Sequence, residues 1–394
     1  MVVTFIHTAD WQLGKPFAKV NNPENRAILQ AERIEALQRL GALAREKNAK
    51  FIVVAGDLFD SRQPTRATVS RACTVIGGMD VPVYAIPGNH DPAGPSGPYA
   101  QDYFRSEHER LAPNLTILTE AVPFVRDDAV LLPCPLQHQH VNADPTEWLR
   151  GDLDTQAWGN KPRIVLAHGS IQGFGSEQAD DEDGGIGGVP NQLNLDRLPQ
   201  GAFDYIALGD WHGFREAGAN GCAWYSGTHE SDRFPRSESY RSGLSLVVMA
   251  ERSMRPIVQE IQTGATVWRK LSVSFHADSD VGLLNERVTS LFPAGSIKNL
   301  LELELAGSLS LEAGRQLEEI LSLLEARLLR CKIKNHTTVT PTAEETTRLA
   351  DPANNPLIGA VAEALRVQTT LPGETGETAQ RALRELFNMV HANI

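Results

Sequence analysis

Residues 51–60 read FIVVAGDLFD, and residues 81–91 read VPVYAIPGNHD. Each is a short apolar run that breaks into Gly, Asp, Asn and His. A run without polar alternation belongs to a strand covered on both faces, as in a parallel sheet. In such sheets the site forms outside the strand C-terminal ends. Working outward, residues 2–10, VVTFIHTAD, repeat the pattern. Between these strands, residues 25–49 set Ile34, Leu37, Leu40 and Leu43 at helical spacing, and residues 65–79 read as a second helix. The order strand–helix–strand–helix–strand predicts an α/β fold.

Further strand signals follow in NLTILTE (114–120), AVLLPCPL (129–136), RIVLAHGS (163–170), FDYIALGDWH (203–212) and LSLVVMAE (244–251). Among them lies QADDEDGGIGGVP (178–190), whose acids Asp180, Asp181, Glu182 and Asp183 read as a solvated loop. Their spacing does not match an EF-hand. After about Met254 the texture changes. VWRKLSVSF, NLLELELAG and LLRCKIKNH look like strands, and LEAGRQLEEILSLLEARLL like a helix. This predicts a small α+β domain over 256–340, after a first domain over 1–255. Residues 341–356, polar and Pro-bearing, read as a linker. Residues 357–394 then carry apolar stripes at helical spacing: Leu357, Ile358, Val361, Ala364 and Leu365, then Leu383, Leu386, Phe387 and Val390.

The length of 394 residues suits two to three domains at ~150 residues each. With 41% hydrophobic and 22% charged residues, collagen, mucin and wholly disordered chains are excluded. No apolar run approaches the ~18 residues of a membrane span, and no secretory signal is visible. The cysteines Cys73, Cys134, Cys222 and Cys331 are far apart, which argues against a zinc ribbon or disulfide framework. A reducing, cytoplasmic location is expected. The net charge of −12 argues against a protein that grips nucleic acid with its whole surface. A local patch near the motifs, drawn from Lys15, Arg62, Arg66, Arg71, Arg105, Arg233, Arg236 and Arg241, is the alternative.

Five polar clusters end apolar segments: Asp10 with Gln12, Asp57 with Asp60, Asn89 with His90, His168, and Asp210 with His212. Strand ends on one sheet edge converge. On extended chain, residues two apart point to one side, so Asp10/Gln12 and Asp210/His212 are each expected to aim two groups at one place. Mixed Asp, Asn and His donors without Cys suit divalent ions such as Mn²⁺, Fe²⁺ or Zn²⁺. Two ions ~3.5–4 Å apart are a common device for phosphoester hydrolysis, orienting a bridging hydroxide and neutralising phosphoryl charge.

The series DxQ…GDxxD…GNHD…H…GDxH resembles the calcineurin-like metallophosphoesterases, whose pattern is DxH…GDxxD…GNH[DE]…H…GHxH. More closely, HTADWQLG looks like the HTSDWHLG opening of SbcD-type nucleases, subunits of DNA double-strand-break repair complexes. AGDLFD, PGNHD, DYIALGDWH and YSGTHE (225–230) match further segments in order. The resemblance covers roughly residues 1–255. It implies an α/β/β/α sandwich with an α+β capping domain and a C-terminal helical tail. It implies two divalent ions, Mn²⁺ foremost, with Mg²⁺ or Fe²⁺ as alternatives. Asp10, Gln12, Asp57 and His212 would hold one; Asp57, Asn89, His168 and Asp210 would hold the other. His90 would protonate the leaving alkoxide, and Asp60 would orient and charge His90. Tyr225, Thr228, Glu230 and Arg62 would line the substrate side. Gln12 stands where the family has a ligating His, and Asp210 where it has the first His of GHxH. An amide oxygen is a weak, neutral ligand, which implies a first ion held loosely, through water, or only with substrate present. Asp210 adds charge that favours Mn²⁺ or Mg²⁺.

A fold does not name its substrate. The resemblance implies a DNA nuclease, exo- or endonucleolytic, acting on double- or single-stranded ends. Its partner would be an SMC-like coiled-coil ATPase docked by the C-terminal helices, and homodimerisation through helices of the first domain is implied too. The alternatives are a phosphodiesterase or phosphatase for small nucleotides, and a non-catalytic module that binds DNA or a partner.

Overall fold

The computed structural model describes residues 1–171, 190–218, 220–292, 298–339, 342–353 and 355–391. The acidic stretch 180–183 lies outside them. In chain order the strands of the first half are β1 (Val2–Thr8), β2 (Ile52–Val54), β3 (Val83–Ala85), β4 (Leu115–Ile117), β5 (Phe124–Val125), β6 (Val130–Cys134), β7 (Arg163–His168), β8 (Ser170–Ile171) and β9 (Gln192–Leu193). Then come β10 (Tyr205–Gly209), β11 (Arg215–Glu216), β12 (Ala223–Tyr225), β13 (Leu244–Glu251), β14 (Ile257–Gln262), β15 (Val267–Phe275), β16 (Asn299–Leu309) and β17 (Arg330–Val339). The helices are α1 (Pro23–Glu46), α2 (Arg66–Gly77), α3 (Asp102–Leu111), α4 (Leu284–Ser290), α5 (Leu311–Arg327), α6 (Ala343–Leu349), α7 (Pro356–Gln368) and α8 (Glu374–His391).

The chain divides into two compact units, Met1–Thr266 and Val267–Ile394. The first holds two six-stranded sheets, ordered β14-β13-β1-β2-β3-β4 and β11-β12-β10-β7-β6-β5. In the first sheet β1 to β4 run parallel, and β13 closes antiparallel on β1. Side-chain alternation sorts the core into layers. Along β2, Ile52 and Val54 join Leu37, Leu40, Val69 and Ile76 from α1 and α2. The other face of that sheet, with Phe5, Val53 and Tyr84, meets Leu131, Ile164, Leu166, Tyr205 and Ala207 of the second sheet. Beyond it, Val165, Ala167, Ile206 and Leu208 face Leu149 and Trp158. This is the expected sandwich, and it explains why β2, β7 and β10 carry no polar side: both faces are covered. The first unit runs past the expected border at 255, because β14 continues the sheet, pairing with β13 from Met249↔Ile257 to Leu244↔Gln262.

In the second unit β15, β16 and β17 are all parallel, with α4 and α5 as crossovers. Val273, Leu301, Leu303 and Leu305 pack there against Leu317, Leu321 and Leu324 of α5. The stretch expected as a linker carries α6, whose start is fixed by reciprocal bonds between Thr342 and Glu345. The helices α7 and α8 share a core of Ala362, Leu383 and Phe387 with Leu349. Ile358, Leu365, Leu386 and Val390 of the predicted stripes pack against it, while Leu357 is 76% exposed. The four cysteines are free. Among the described residues no helix is long and apolar enough to cross a membrane.

Candidate metal centre

All five clusters sit at strand C-terminal ends. Asp10 and Gln12 follow β1, Asp57 follows β2, Asn89 and His90 follow β3, His168 ends β7, and Asp210 and His212 follow β10. Asp10, Asp57 and His168 are buried, and their ligand atoms lie within 4.8 Å of one another. The chain does not reach this arrangement through extended geometry, as the spacing had suggested. Asp10, Gln12, Asp57 and Asp210 have φ of 51°, 39°, 56° and 96°. These are left-handed conformations, costly for residues other than Gly. Main-chain bonds hold the kinks: Gln12 N donates to Asp57 O at 2.8 Å, and Asp10 N to Gly56 O at 3.1 Å. The motif glycines are required by contact. A Cβ on Gly56 would lie 2.1 Å from His168 Nδ1, and one on Gly88 would lie 2.1 Å from Asp57 Oδ1.

His168 Nδ1 donates to Ala55 O at 2.8 Å, which turns Nε2 inward. Nε2 lies 2.8 Å from Asn89 Oδ1, 3.5 Å from Asp57 Oδ1 and 3.9 Å from Asp210 Oδ1. Acceptors converging on the inward-facing nitrogen of a buried imidazole are what a divalent cation satisfies, so these residues fit the metal that the motifs imply. Burial pushes the His168 pKa down, but Asp57, Asp10, Asp210 and the Ala55 carbonyl outweigh it and hold it at about 9. A bound cation would replace that proton. Burial raises Asp10 to about 7; the charges of Asp57 and Asp210 add to this, while His168 and the Asp210 N–H oppose it. For Asp57 burial acts upward too, yet His168, His90 and His212 bring it below its usual value.

His90 N donates to Asp57 Oδ1 at 3.0 Å, and His90 Nε2 stands 3.9 Å from Asp57 Oδ2. Its Nδ1 donates to the Asp60 main-chain carbonyl at 2.9 Å. The expected orienting role of Asp60 therefore falls to its backbone, while its carboxylate lies 3.7 Å from Lys15 Nζ. His212 Nδ1 lies 2.8 Å from the buried Asp232 Oδ2 and 2.9 Å from Arg233 Nη2. Held through Nδ1, the ring turns Nε2 inward, 3.3 Å from the Gln12 amide nitrogen.

Three residues expected on the substrate side are scaffolding instead, because all are buried with their polar atoms turned to the protein. Tyr225 donates to Gly169 O at 2.7 Å. Thr228 Oγ1 donates to Asp10 O at 2.9 Å. Glu230 accepts from Ala265 N, Thr266 N and Thr266 Oγ1 and pairs with Arg39 at 2.9 Å. Arg62 is exposed. Of the expected basic patch, Arg233 pairs with Asp232 at 3.2 Å and Arg241 pairs with Glu260.

Sequence reading missed Arg33, Asp91 and Asp232. Arg33 is buried in α1 and donates to Trp11 O, Asp10 O, Glu230 O and Thr228 Oγ1, tying the first motif to the YSGTHE segment. Its signal was its place on the apolar stripe, four residues after Leu29 and four before Leu37. Asp91, the last letter of GNHD, accepts from Gly88 N at 2.8 Å, Phe59 N at 2.9 Å and Tyr99 Oη at 2.5 Å, and so shapes the loop that carries Asn89 and His90. Asp232 lies just beyond YSGTHE, with no local signal of its own.

A two-sheet sandwich with acids, an amide and imidazoles gathered at its strand ends defines a metal-dependent phosphoesterase. The calcineurin-like phosphoesterase profile matches residues 3–234, and the chain belongs to that family. The family consists of hydrolases of phosphoester bonds that use divalent metal ions. One solved structure aligns with 67% of this chain and 100% of its own at 12% identity. Its TM-score of 0.38 is too low to bear on fold or function.

Proposed function

We propose that the chain is a Mn²⁺-dependent DNA nuclease that hydrolyses phosphodiester bonds at double- or single-stranded ends, working with an SMC-like coiled-coil ATPase. The observation that carries hydrolysis is the convergence of Asp57, Asn89 and Asp210 on His168 Nε2 beside His90. What supports DNA as substrate is the ordered run HTADWQLG, AGDLFD, PGNHD, DYIALGDWH and YSGTHE, which resembles the SbcD-type nucleases.

Asp57, Asn89, His168 and Asp210, with Asp10 beside them, would hold the metal. Bound there, it supplies Lewis-acid neutralisation of charge on the phosphoryl oxygens. The chain's own residues do the rest. The Asp60 carbonyl fixes the His90 ring through Nδ1; burial disfavours the charged ring, but Asp57 and Asp60 outweigh it and favour the imidazolium, whose Nε2–H is the proton given to the leaving alkoxide. The 30% exposure of the His90 side chain gives a leaving group access to it. Asp91 holds the loop on which His90 rides. On α7 the exposed Leu357 and Val361 are the residues we propose for the ATPase.

The test is cleavage of end-labelled linear double- and single-stranded DNA with Mn²⁺, with Mg²⁺ and with EDTA, beside His90→Ala. Cleavage that survives EDTA, or that His90→Ala leaves untouched, would sink the reading. The net charge of −12, and the pairing of Arg233 and Arg241 with acids, favour a second reading, a phosphodiesterase for small nucleotides. Turnover of cyclic nucleotides without DNA cleavage would select it.

A further inference from the structure

Lys15 follows the first motif, and its side chain turns back onto it. Nζ donates to Gln12 Oε1 at 2.8 Å and lies 3.2 Å from Asp232 Oδ2 and 3.7 Å from Asp60 Oδ1. An ammonium has donors and no acceptor. The Gln12 atom that faces Lys15 must therefore be the oxygen, which fixes the amide's orientation. The amide nitrogen is turned the other way, 3.4 Å from Asp57 Oδ2 and 3.3 Å from His212 Nε2. On its other side the His212 ring meets Asp232 Oδ2 and Arg233 Nη2 through Nδ1, at 2.8 and 2.9 Å, so Nε2 is the nitrogen turned toward Gln12. The amide nitrogen thus faces Asp57 Oδ2 and His212 Nε2, the two atoms that the first metal of a two-metal centre would need.

We infer that Gln12 and Lys15 together fill one of the two metal seats, so that this chain binds a single divalent ion. The inference rests on the reading of the centre as metal-binding. For Gln12 to serve as a ligand, Oε1 would have to turn inward, and the amide NH₂ would then meet the Lys15 ammonium, donor against donor. The ammonium also supplies positive charge beside Asp60 and Asp232, and it repels a second dication. The other seat is lined by the remaining donors. His168 Nε2, Asn89 Oδ1, Asp57 Oδ1 and Asp210 Oδ1 converge there, with the Asp10 carboxylate in the same cluster. One imidazole among oxygen donors suits Mn²⁺. The substitution of Gln for His at position 12 is then coupled to Lys15, and the pair acts as a unit.

The test counts ions. The full chain is equilibrated with Mn²⁺, bound metal is measured by elemental analysis after dialysis, and its electron paramagnetic resonance spectrum is recorded. One Mn²⁺ per chain is expected, with the hyperfine pattern of an isolated ion. The double variant Gln12→His with Lys15→Ala is expected to bind two, with an exchange-coupled spectrum. If the double variant does not fold, Lys15→Met in the otherwise native chain replaces it, and a second, weaker Mn²⁺ is expected. Two coupled ions in the native chain would overturn the inference and leave the metal-dependent reading intact. No bound ion would overturn both. A folded double variant that still binds one ion would show that Gln12 and Lys15 are not what closes the seat.

Discussion

In the first unit Asp10, Asp57 and His168 are buried against one another, with further carboxylate from Asp210. In the second unit Glu302 is the buried acid among the described residues. It is ringed by Lys334 at 2.9 Å, Lys332 at 3.3 Å and Lys270 at 3.6 Å. Asp10 and Glu302 are pushed in opposite directions. Burial and neighbouring carboxylates raise Asp10 to about 7. Burial acts upward on Glu302 as well, but Lys334, Lys270 and Lys332 outweigh it, and its pKa falls. The backbone differs too. The acids of the centre sit at positive φ, whereas Glu302 lies in the regular register of β16. A charge balanced by its own sheet is architecture. Acids gathered on strained backbone mark a site, since local rules are broken where function lies.

The comparison breaks most visibly at His168. In His168→Ala, hydrolysis is expected to fall by ~10³-fold or more, in line with loss of a key electrostatic group, and Mn²⁺ retention on dialysis should fail with it. A variant that still binds Mn²⁺ and turns over would remove the first half of the contrast. His90→Ala sharpens it. Rate should drop by ~10²–10⁴-fold, the usual range for a general acid, while bound Mn²⁺ stays at the native level. Metal loss in that variant would mean that His90 belongs to the donor set.

Arg33→Ala tests how firmly buried charge holds the first unit together. Denaturant unfolding should show a loss of ~3–5 kcal/mol, because acceptors and acids that it serves are left buried without it. A loss under ~1 kcal/mol would mean that the arginine is dispensable scaffolding. Gly56→Ala should cost ~1–3 kcal/mol from its φ of 94° alone, with displacement of His168 visible as a change in its imidazole resonances. Glu302→Gln should give the smallest change. A lowered folded-state pKa contributes stability that is present above the unfolded value of 4.5 and lost as pH falls through the folded one. The native second unit should therefore lose stability below about pH 4.5, and the variant should lack that acid limb. Thermal melts from pH 3 to 7 would decide, and identical limbs in both proteins would dismiss the lysine cluster as a source of stability.

Much of this was legible in the chain itself. Apolar runs ending in GD, GNH, HG and GD named β2, β3, β7 and β10 and the donors after them. Burial on both faces leaves that mark directly on composition. The short strands β5, β8, β9, β11 and β12 were not legible, since two or three residues carry no periodicity. Helix α6 hid in a polar stretch read as a linker, because its start depends on a capping exchange more than on apolar spacing. At the site, sequence assigned donor types and strand ends. Only the tertiary structure decided which atom each donor presents. Asp210 N meets the Asp10 carboxylate across 200 residues, and Arg33 meets Glu230 across 197. Gln12 shows its amide nitrogen to Asp57 because Lys15 claims the oxygen, and Lys15 is held there by Asp232. Residue type is a local property and can be read in order. Side-chain direction at a left-handed turn follows from partners brought in by folding, and no spacing in the chain records it.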